Sequence, residues 1–158
     1  MAQMTGGRAL VQSIKREGID TVFALPGAQL DWAFDALHEE QDAIRVIQTR
    51  HEQATSYMAD GYARATGKVG ACLVVPGPGV LNAGAGLSTA YACASPVLCM
   101  AGQVASRLIG VGRGELHEIK DQRAVLESVS KWTGRALAPG DLPGLVREAF
   151  QQLRSGRP

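Results

Sequence analysis

The chain has 158 residues, 46% of them hydrophobic and 20% charged, which is enough for one domain with a sizeable core. With 16 basic and 15 acidic side chains the formal net charge is +1, so there is no strong field to recruit nucleic acid or an anionic membrane. Apolar stretches are broken by Pro, Gly or polar residues before the roughly 18 needed to cross a bilayer, and no basic-plus-apolar leader opens the chain; the expectation is a soluble, cytoplasmic protein.

The opening "MAQMTGG" looks like an expression tag but runs straight into helical periodicity, so it is read as native. Thr5 is placed to cap a first helix carrying Leu10, Val11 and Ile14, with Gly18 as its stop. "DTVFAL" then reads as a buried strand ending at Pro26-Gly27, and "AQLDWAFDALHEE" as a helix with Leu30, Phe34 and Leu37 on one side and His38 toward solvent. "AIRVIQT" is the next strand, "RHEQATSYMADGYARATG" a helix, "GACLVVPG" a strand, "GVLNAGAGLSTAYAC" a helix and "SPVLCMAGQ" a strand. After a glycine-rich excursion, "ASRLIGVGRGELHEI", come a short helix at "DQRAVLES", a final strand at "SVSKWTGRAL" and a closing helix at "DLPGLVREAFQQLRS".

Continuous apolar strands alternating with helices predict a three-layer α/β/α domain over residues 1–158, with an open, mostly parallel, doubly wound sheet of about six strands. Cys72, Cys93 and Cys99 sit among apolar residues with no C-x-x-C spacing and are expected as reduced, buried thiols. His38, His51 and His117 are widely separated and no H-E-x-x-H occurs, so no metal site is expected.

In an open parallel sheet, ligands meet the carboxyl ends of the strands. Four such ends carry unusual residues: Pro26-Gly27, His51-Glu52, Pro76-Gly77-Pro78-Gly79 and Gly102-Gln103. The "VVPGPGVLN" turn is like a phosphate cradle leading into a helix, but it lacks a full G-x-G-x-x-G. There is no P-loop either, so a nucleotide-binding module is the weaker reading. Asn82 falls within the first turns of the helix after that loop. In the helix before it, Ala54, Met58, Gly61, Tyr62 and Ala65 recur at helical spacing as a smooth face suited to a partner. A carboxylate at position 52 covered by another subunit would lose solvent, which is how a carboxyl group becomes a proton relay.

The stretches "VFALPGAQLDWAFDAL", "RHEQATSYMADGYARATGKVGACLVVPGPGVLNAGAGLSTAYACASPVLCMAGQV" and "LIG" closely resemble the N-terminal pyrimidine-binding domain of thiamine diphosphate enzymes, in the branch of acetolactate synthase and benzoylformate decarboxylase. The resemblance spans essentially the whole chain. It implies thiamine diphosphate as cofactor and a 2-keto acid as substrate. Glu52 aligns with the glutamate that shares a proton with the cofactor's aminopyrimidine and so activates the thiazolium carbon for attack on the keto acid. Pro26, Gly27, Pro76, Gly77 and Asn82 match residues around the pyrimidine, and Gln103 a glutamine on the approach to the active site.

There are departures from the family pattern. Synthases commonly carry S-G-P-G where Pro76 to Gly79 stand, and a Phe-Gln pair where Leu116 and His117 stand, which bears on acetolactate formation in particular. His117 is a candidate for touching substrate or handling a proton. The family's middle and diphosphate-binding domains, the latter holding Mg2+, are not among these residues. The resemblance therefore implies a homodimer through the helix 51–66 face, a diphosphate-binding domain in a longer chain or a separate subunit, and no turnover by these residues alone. The alternative is an interaction or regulatory domain that keeps the fold without catalysis.

Overall fold

The computed structural model describes residues 4–158, and the first three residues of "MAQMTGG" lie outside that range. Helix α1 (Gly6–Arg16) begins where Thr5 Oγ1 accepts from Arg8 N at 3.2 Å and ends before Gly18, whose φ of 92° only glycine adopts freely. It leads into β1 (Thr21–Ala24), α2 (Asp31–Glu39), β2 (Arg45–Gln48), α3 (Glu52–Thr66), β3 (Gly70–Val74), α4 (Pro78–Cys93) and β4 (Val97–Ala101). A short α5 (Gln122–Glu127) and a longer α6 (Leu142–Arg154) follow the glycine-rich excursion.

All strand pairs are parallel, in the order β2-β1-β3-β4. Val22 stands opposite Val46 on one side and Ala71 on the other, while Gly70 to Val74 run in register with Val97 to Ala101. β3 is buried along its whole length, and its sequence, Gly-Ala-Cys-Leu-Val, is the uninterrupted apolar run that a strand covered on both faces requires. One core joins Val11 and Ile14 of α1, Ala33 and Leu37 of α2 and Phe150 of α6 to Val22, Ala71 and Leu73. The other joins Ala59 of α3 and Val80, Ala83 and Leu87 of α4 to Phe23, Cys72 and Val74. Two cores on opposite faces of one sheet make the three-layer, doubly wound architecture.

The sheet has four strands among the described residues, not about six. "SVSKWTGRAL" forms no ladder; its side chains are tied to α5 and α6 instead. Trp132 Nε1 donates to Glu148 at 3.1 Å, Arg123 Nε donates to Thr133 Oγ1 at 3.1 Å, and Ser130 Oγ donates to the Leu126 carbonyl at 2.6 Å. The segment stands off from β4 across a cavity of about 310 Å³ lined by Cys99, Met100, Trp132, Gly134 and Val146 among others.

The α3 face also differs from expectation. Tyr62 does not join an exposed smooth surface: its ring packs edge-on against Phe23 with centroids 6.0 Å apart, and its hydroxyl donates to Asp20 Oδ1 at 2.6 Å. Tyr57, Met58 and Gly61 are exposed, whereas close backbone contact is made on the opposite side. There, a Cβ on Gly86 of α4 would lie 2.3 Å from Ser56 Oγ, and one on Gly70 would lie 2.0 Å from the Ala59 carbonyl oxygen. Cys72 is buried as expected, whereas Cys99 is half-buried and Cys93 is exposed at the end of α4, before the chain turns through Ala94 into β4.

Candidate functional site

The start of α3 is built so that Glu52 has no capping duty. His51 is the N-cap, in extended conformation, and its Nδ1 accepts from Gln53 N at 3.1 Å, while Thr49 Oγ1 donates to the His51 carbonyl at 3.0 Å. The imidazole thus satisfies an orphan helix N–H that an acidic residue would otherwise take. Glu52, at the first helical position, turns sideways to α4, where its Oε2 accepts from Asn82 Nδ2 at 2.9 Å. Among the described residues its Oε1 takes no hydrogen bond.

Bare backbone lets the loops around that carboxylate close on one another. A Cβ on Gly79 would fall 3.6 Å from Glu52 Cγ and 2.7 Å from Val75 Cγ2. Gly77 has a φ of 56°, and a Cβ there would sit 2.1 Å from the His117 carbonyl oxygen. The first loop converges on the same place, because a Cβ on Gly27 would meet Val75 Cγ1 at 2.6 Å. Gly102 would likewise crowd Leu30 and Pro76, each at 3.1 Å. Pro26-Gly27, Pro76 to Gly79, Gly102 and the 116–119 loop are therefore in mutual contact around the strand ends.

Two residues with left-handed backbone join the outer loops. Gln29 has φ 67° and His117 φ 65°; Gln29 Nε2 donates to the Leu116 carbonyl at 2.9 Å, and Gln29 Oε1 lies 2.9 Å from His117 Nδ1. Such backbone in non-glycine residues persists only where surrounding bonds hold it. The glycine-rich excursion is tied in turn by Glu118, whose carboxylate accepts from the backbone N–H groups of Gly112, Gly114 and Glu115 at 3.1, 2.7 and 3.0 Å. The N–H donors, Glu115 first, hold that carboxyl below the usual glutamate range against the opposing effect of burial.

A residue absent from the sequence reading holds the loops together from below. Gln122, buried on α5, accepts from Gly77 N at 3.0 Å through Oε1 and donates to the Gly102 carbonyl at 2.9 Å through Nε2. It bridges the ends of β3 and β4. Gln103 turns away from this bridge; its Oε1 accepts from Val104 N at 2.8 Å, and it lines the cavity beside β4. Glu52 and Asn82 are thus brought together, Gly77 and His117 meet through backbone, and Gln103 belongs to the neighbouring cavity. The only local signal for Gln122 is that Asp121, which accepts from Arg123 N and Ala124 N, fixes the helix start immediately before it.

Two hollows differ in character. The cavity along β4 is mainly apolar and partly open to solvent, while a wider and more open hollow of about 450 Å³ is bounded by His51, Gln53, Ala54, Tyr57 and Met58 at the start of α3. The second borders the Glu52 corner and the exposed side of α3. Among the described residues no group of three or more His, Cys, Asp or Glu side chains is placed to hold a metal ion, and no helix is long and apolar enough to cross a membrane.

Residues 4–125 match the family model described as thiamine pyrophosphate enzyme, N-terminal TPP binding domain. Similar proteins include the probable 2-ketoarginine decarboxylase AruI of Pseudomonas aeruginosa, 41% identical over 155 residues, covering 98% of this chain and 27% of that protein. The acetolactate synthase large subunit of Haemophilus influenzae is 39% identical over 158 residues, covering 100% of this chain and 27% of that protein. The mitochondrial acetolactate synthase catalytic subunit of Saccharomyces cerevisiae is 35% identical over 155 residues, covering 98% and 22%. The chain spans about a quarter of the length of these curated relatives. With its parallel sheet, its converging strand-end loops and this match over most of its length, the chain belongs to the thiamine pyrophosphate enzyme family as an N-terminal TPP-binding domain.

Proposed function

We propose that the chain is the pyrimidine-binding half of a thiamine diphosphate-dependent 2-keto acid decarboxylase or carboligase, with Glu52 as the cofactor-activating carboxylate. One observation carries this reading: Asn82 holds one Glu52 oxygen while, among the described residues, the other takes no hydrogen bond, at the strand ends where the Gly27, Gly77 and Gly79 loops converge, the place assigned here to a pyrimidine cradle. That arrangement fits the flat, N–H-bearing edge of an aminopyrimidine. Glu52 Oε1 is the atom that holds and returns a proton there, and Asn82 keeps the carboxylate turned toward the cradle rather than toward the α3 backbone. When bound, thiamine diphosphate supplies the electron sink for cleaving the bond to a keto acid's carboxylate. Pro26, Gly27, Pro76 and Gly77 form the walls of the cradle.

His117 is assigned to the substrate side. Its Nδ1 is engaged by Gln29, which leaves Nε2 to meet a carboxylate or pass on a proton. Gln103 is assigned to the approach. The AruI relative is named for decarboxylation of 2-ketoarginine, and Leu116-His117 in place of a Phe-Gln pair favours decarboxylation over acetolactate formation. Mg2+ and the diphosphate are assigned to a separate diphosphate-binding domain, in a longer chain or a second subunit. A homodimer through the exposed α3 side, with Tyr57 and Met58 at its centre, would cover Glu52; sedimentation should then give a concentration-dependent dimer, and a monomer at all concentrations would remove this part.

The decisive experiment combines the chain with thiamine diphosphate, Mg2+ and a diphosphate-binding domain and follows 2-keto acid consumption. Glu52→Gln keeps the Asn82 contact geometry but cannot accept the proton, so activity should fall roughly 100-fold or more. Equal activity in Glu52→Gln and the parent would refute the assignment. An interaction domain without catalysis would instead give no turnover with any diphosphate-domain partner while still binding that partner.

A further inference from the structure

Cys72 and Cys99 occupy directly opposed positions on the adjacent parallel strands β3 and β4. Opposed residues in register project to the same face of a sheet, with neighbouring strands about 4.8 Å apart, well inside the separation at which two cysteine sulfurs can share one bridging atom. Both side chains point into the α3/α4 core, Cys72 fully buried and Cys99 half-buried. Access comes from the side. β4 is an edge of the sheet, and the cavity of about 310 Å³ that runs along it is lined by Cys99 but not by Cys72. Apolar neighbours Leu87, Val97, Leu126 and Val129 line the same cavity.

We propose that Cys72 and Cys99 form a dithiol site that captures a soft, thiophilic electrophile bonding two sulfurs at once, the chemistry of trivalent organoarsenicals. The cavity admits the reagent to Cys99, and Cys72 closes the chelate from behind. In the reaction, two As–O bonds break and two As–S bonds form; each thiol proton leaves with a hydroxyl as water, and no oxidation state changes. The Cys99 thiol, and then burial, push the Cys72 thiol well above its ordinary range, so it meets the ligand as a protonated thiol that reacts only after Cys99 has brought the arsenic alongside. Thr55 lies against Cys72 and donates to the Glu52 carbonyl at 2.7 Å, so an occupied site presses on the first turn of α3. The dithiol itself stands independently of the cofactor reading.

Phenylarsine oxide is the probe. The chain has three cysteines, and titration of the unfolded protein after treatment should count one free thiol where the untreated chain gives three. Intact mass should show one phenylarsine per chain, retained through washing with a monothiol and released by a dithiol. All three cysteines fall in the tryptic peptide spanning residues 69–107, so alkylation of the treated protein followed by fragment sequencing should place the alkyl group on Cys93 alone. Cys93→Ser should keep the adduct, and Cys72→Ala and Cys99→Ala should each lose it. The wild-type mapping needs no variant to fold. Alkylation of Cys72 or Cys99 in the treated wild type, an adduct removed by the monothiol wash, or an adduct persisting in Cys99→Ala would each overturn the site.

Discussion

Replacing Gln122 with Ala tests whether a single side chain holds the ends of β3 and β4 in place. The substitution removes two hydrogen bonds, from Gly77 N and to the Gly102 carbonyl. Gly77 is buried under the His117 carbonyl, so its N–H loses its partner without gaining water, a cost of roughly 1–3 kcal/mol. The lost bond to Gly102 adds about 1 kcal/mol. Against this, freeing a Gln side chain from one rotamer returns up to about 1.5–2 kcal/mol, and Ala is a slightly better helix former. The net expectation is destabilisation of about 0.5–2.5 kcal/mol. For a chain of this size that lowers Tm by roughly 2–4 °C per kcal/mol. Urea denaturation gives the free energy directly, and amide exchange gives its location. The Gly77 amide should lose protection by a larger factor than amides in the centre of β3. Gln122→Glu keeps the acceptor for Gly77 N but sets a carboxylate against the Gly102 carbonyl, so it should rescue Gly77 protection more than overall stability. A midpoint equal to the parent's, with Gly77 still protected, would refute the bridging role.

Gly70→Ala should destabilise by about 1–3 kcal/mol or prevent folding, since its Cβ would fall 2.0 Å from the Ala59 carbonyl oxygen and backbone has to move; denaturant midpoints decide it. Gly67 ends α3 with φ 71° and no atom within 4 Å of its Cβ position, so Gly67→Ala should cost about 1 kcal/mol from conformation alone, and a loss several times larger would indicate an unseen contact. Asp20 is held at about 2, below the ordinary aspartate 3.8, by hydrogen bonds from Lys68 first and then Tyr62. Because the folded form has the lower value, this stabilisation is complete above the unfolded pKa and is lost as pH falls through 3.8 toward about 2. The group is substantially exposed, so solvent screening reduces the effect to below about 1 kcal/mol. Stability measured from pH 6 to pH 2 should fall less in Asp20→Asn than in the parent, and parallel curves would exclude this contribution.

The strand-helix alternation was readable because β1, β3 and β4 are short apolar runs closed by glycine or proline, β2 leads straight into a helix start, and each helix keeps its apolar spacing. The same logic failed at "SVSKWTGRAL", which has the residues of a strand but no ladder. Strand formation needs a neighbour at the correct distance, and here a cavity separates the segment from β4 while its Thr133, Trp132 and Ser130 side chains are tied to Arg123, Glu148 and Leu126. At the site, Glu52 and Asn82 were visible because both sit where a strand feeds a helix, and a helical turn has fixed geometry. Gln122 was invisible for a different reason. Its sequence surroundings, Asp-Gln-Arg, are those of a solvated helix start, and only the fold brings Gly77 and Gly102 to its two ends. Tyr62 was misplaced by the same limitation, since helical periodicity puts it near Met58 and Gly61 but says nothing of Phe23 and Asp20 waiting beneath it.

The placement of Trp132 makes the chain its own optical sensor. There are two tryptophans; Trp32, at 67% exposed, sits on α2 in water, whereas Trp132 lies half-buried against Gly134 with its indole N–H on Glu148. In this chain Trp32 emits as a hydrated indole, so a blue-shifted component belongs to Trp132 and to the cavity along β4 that it lines. A heavy atom entering that cavity would quench this component selectively. The intensity ratio of the two components therefore reports on the sheet edge without any label.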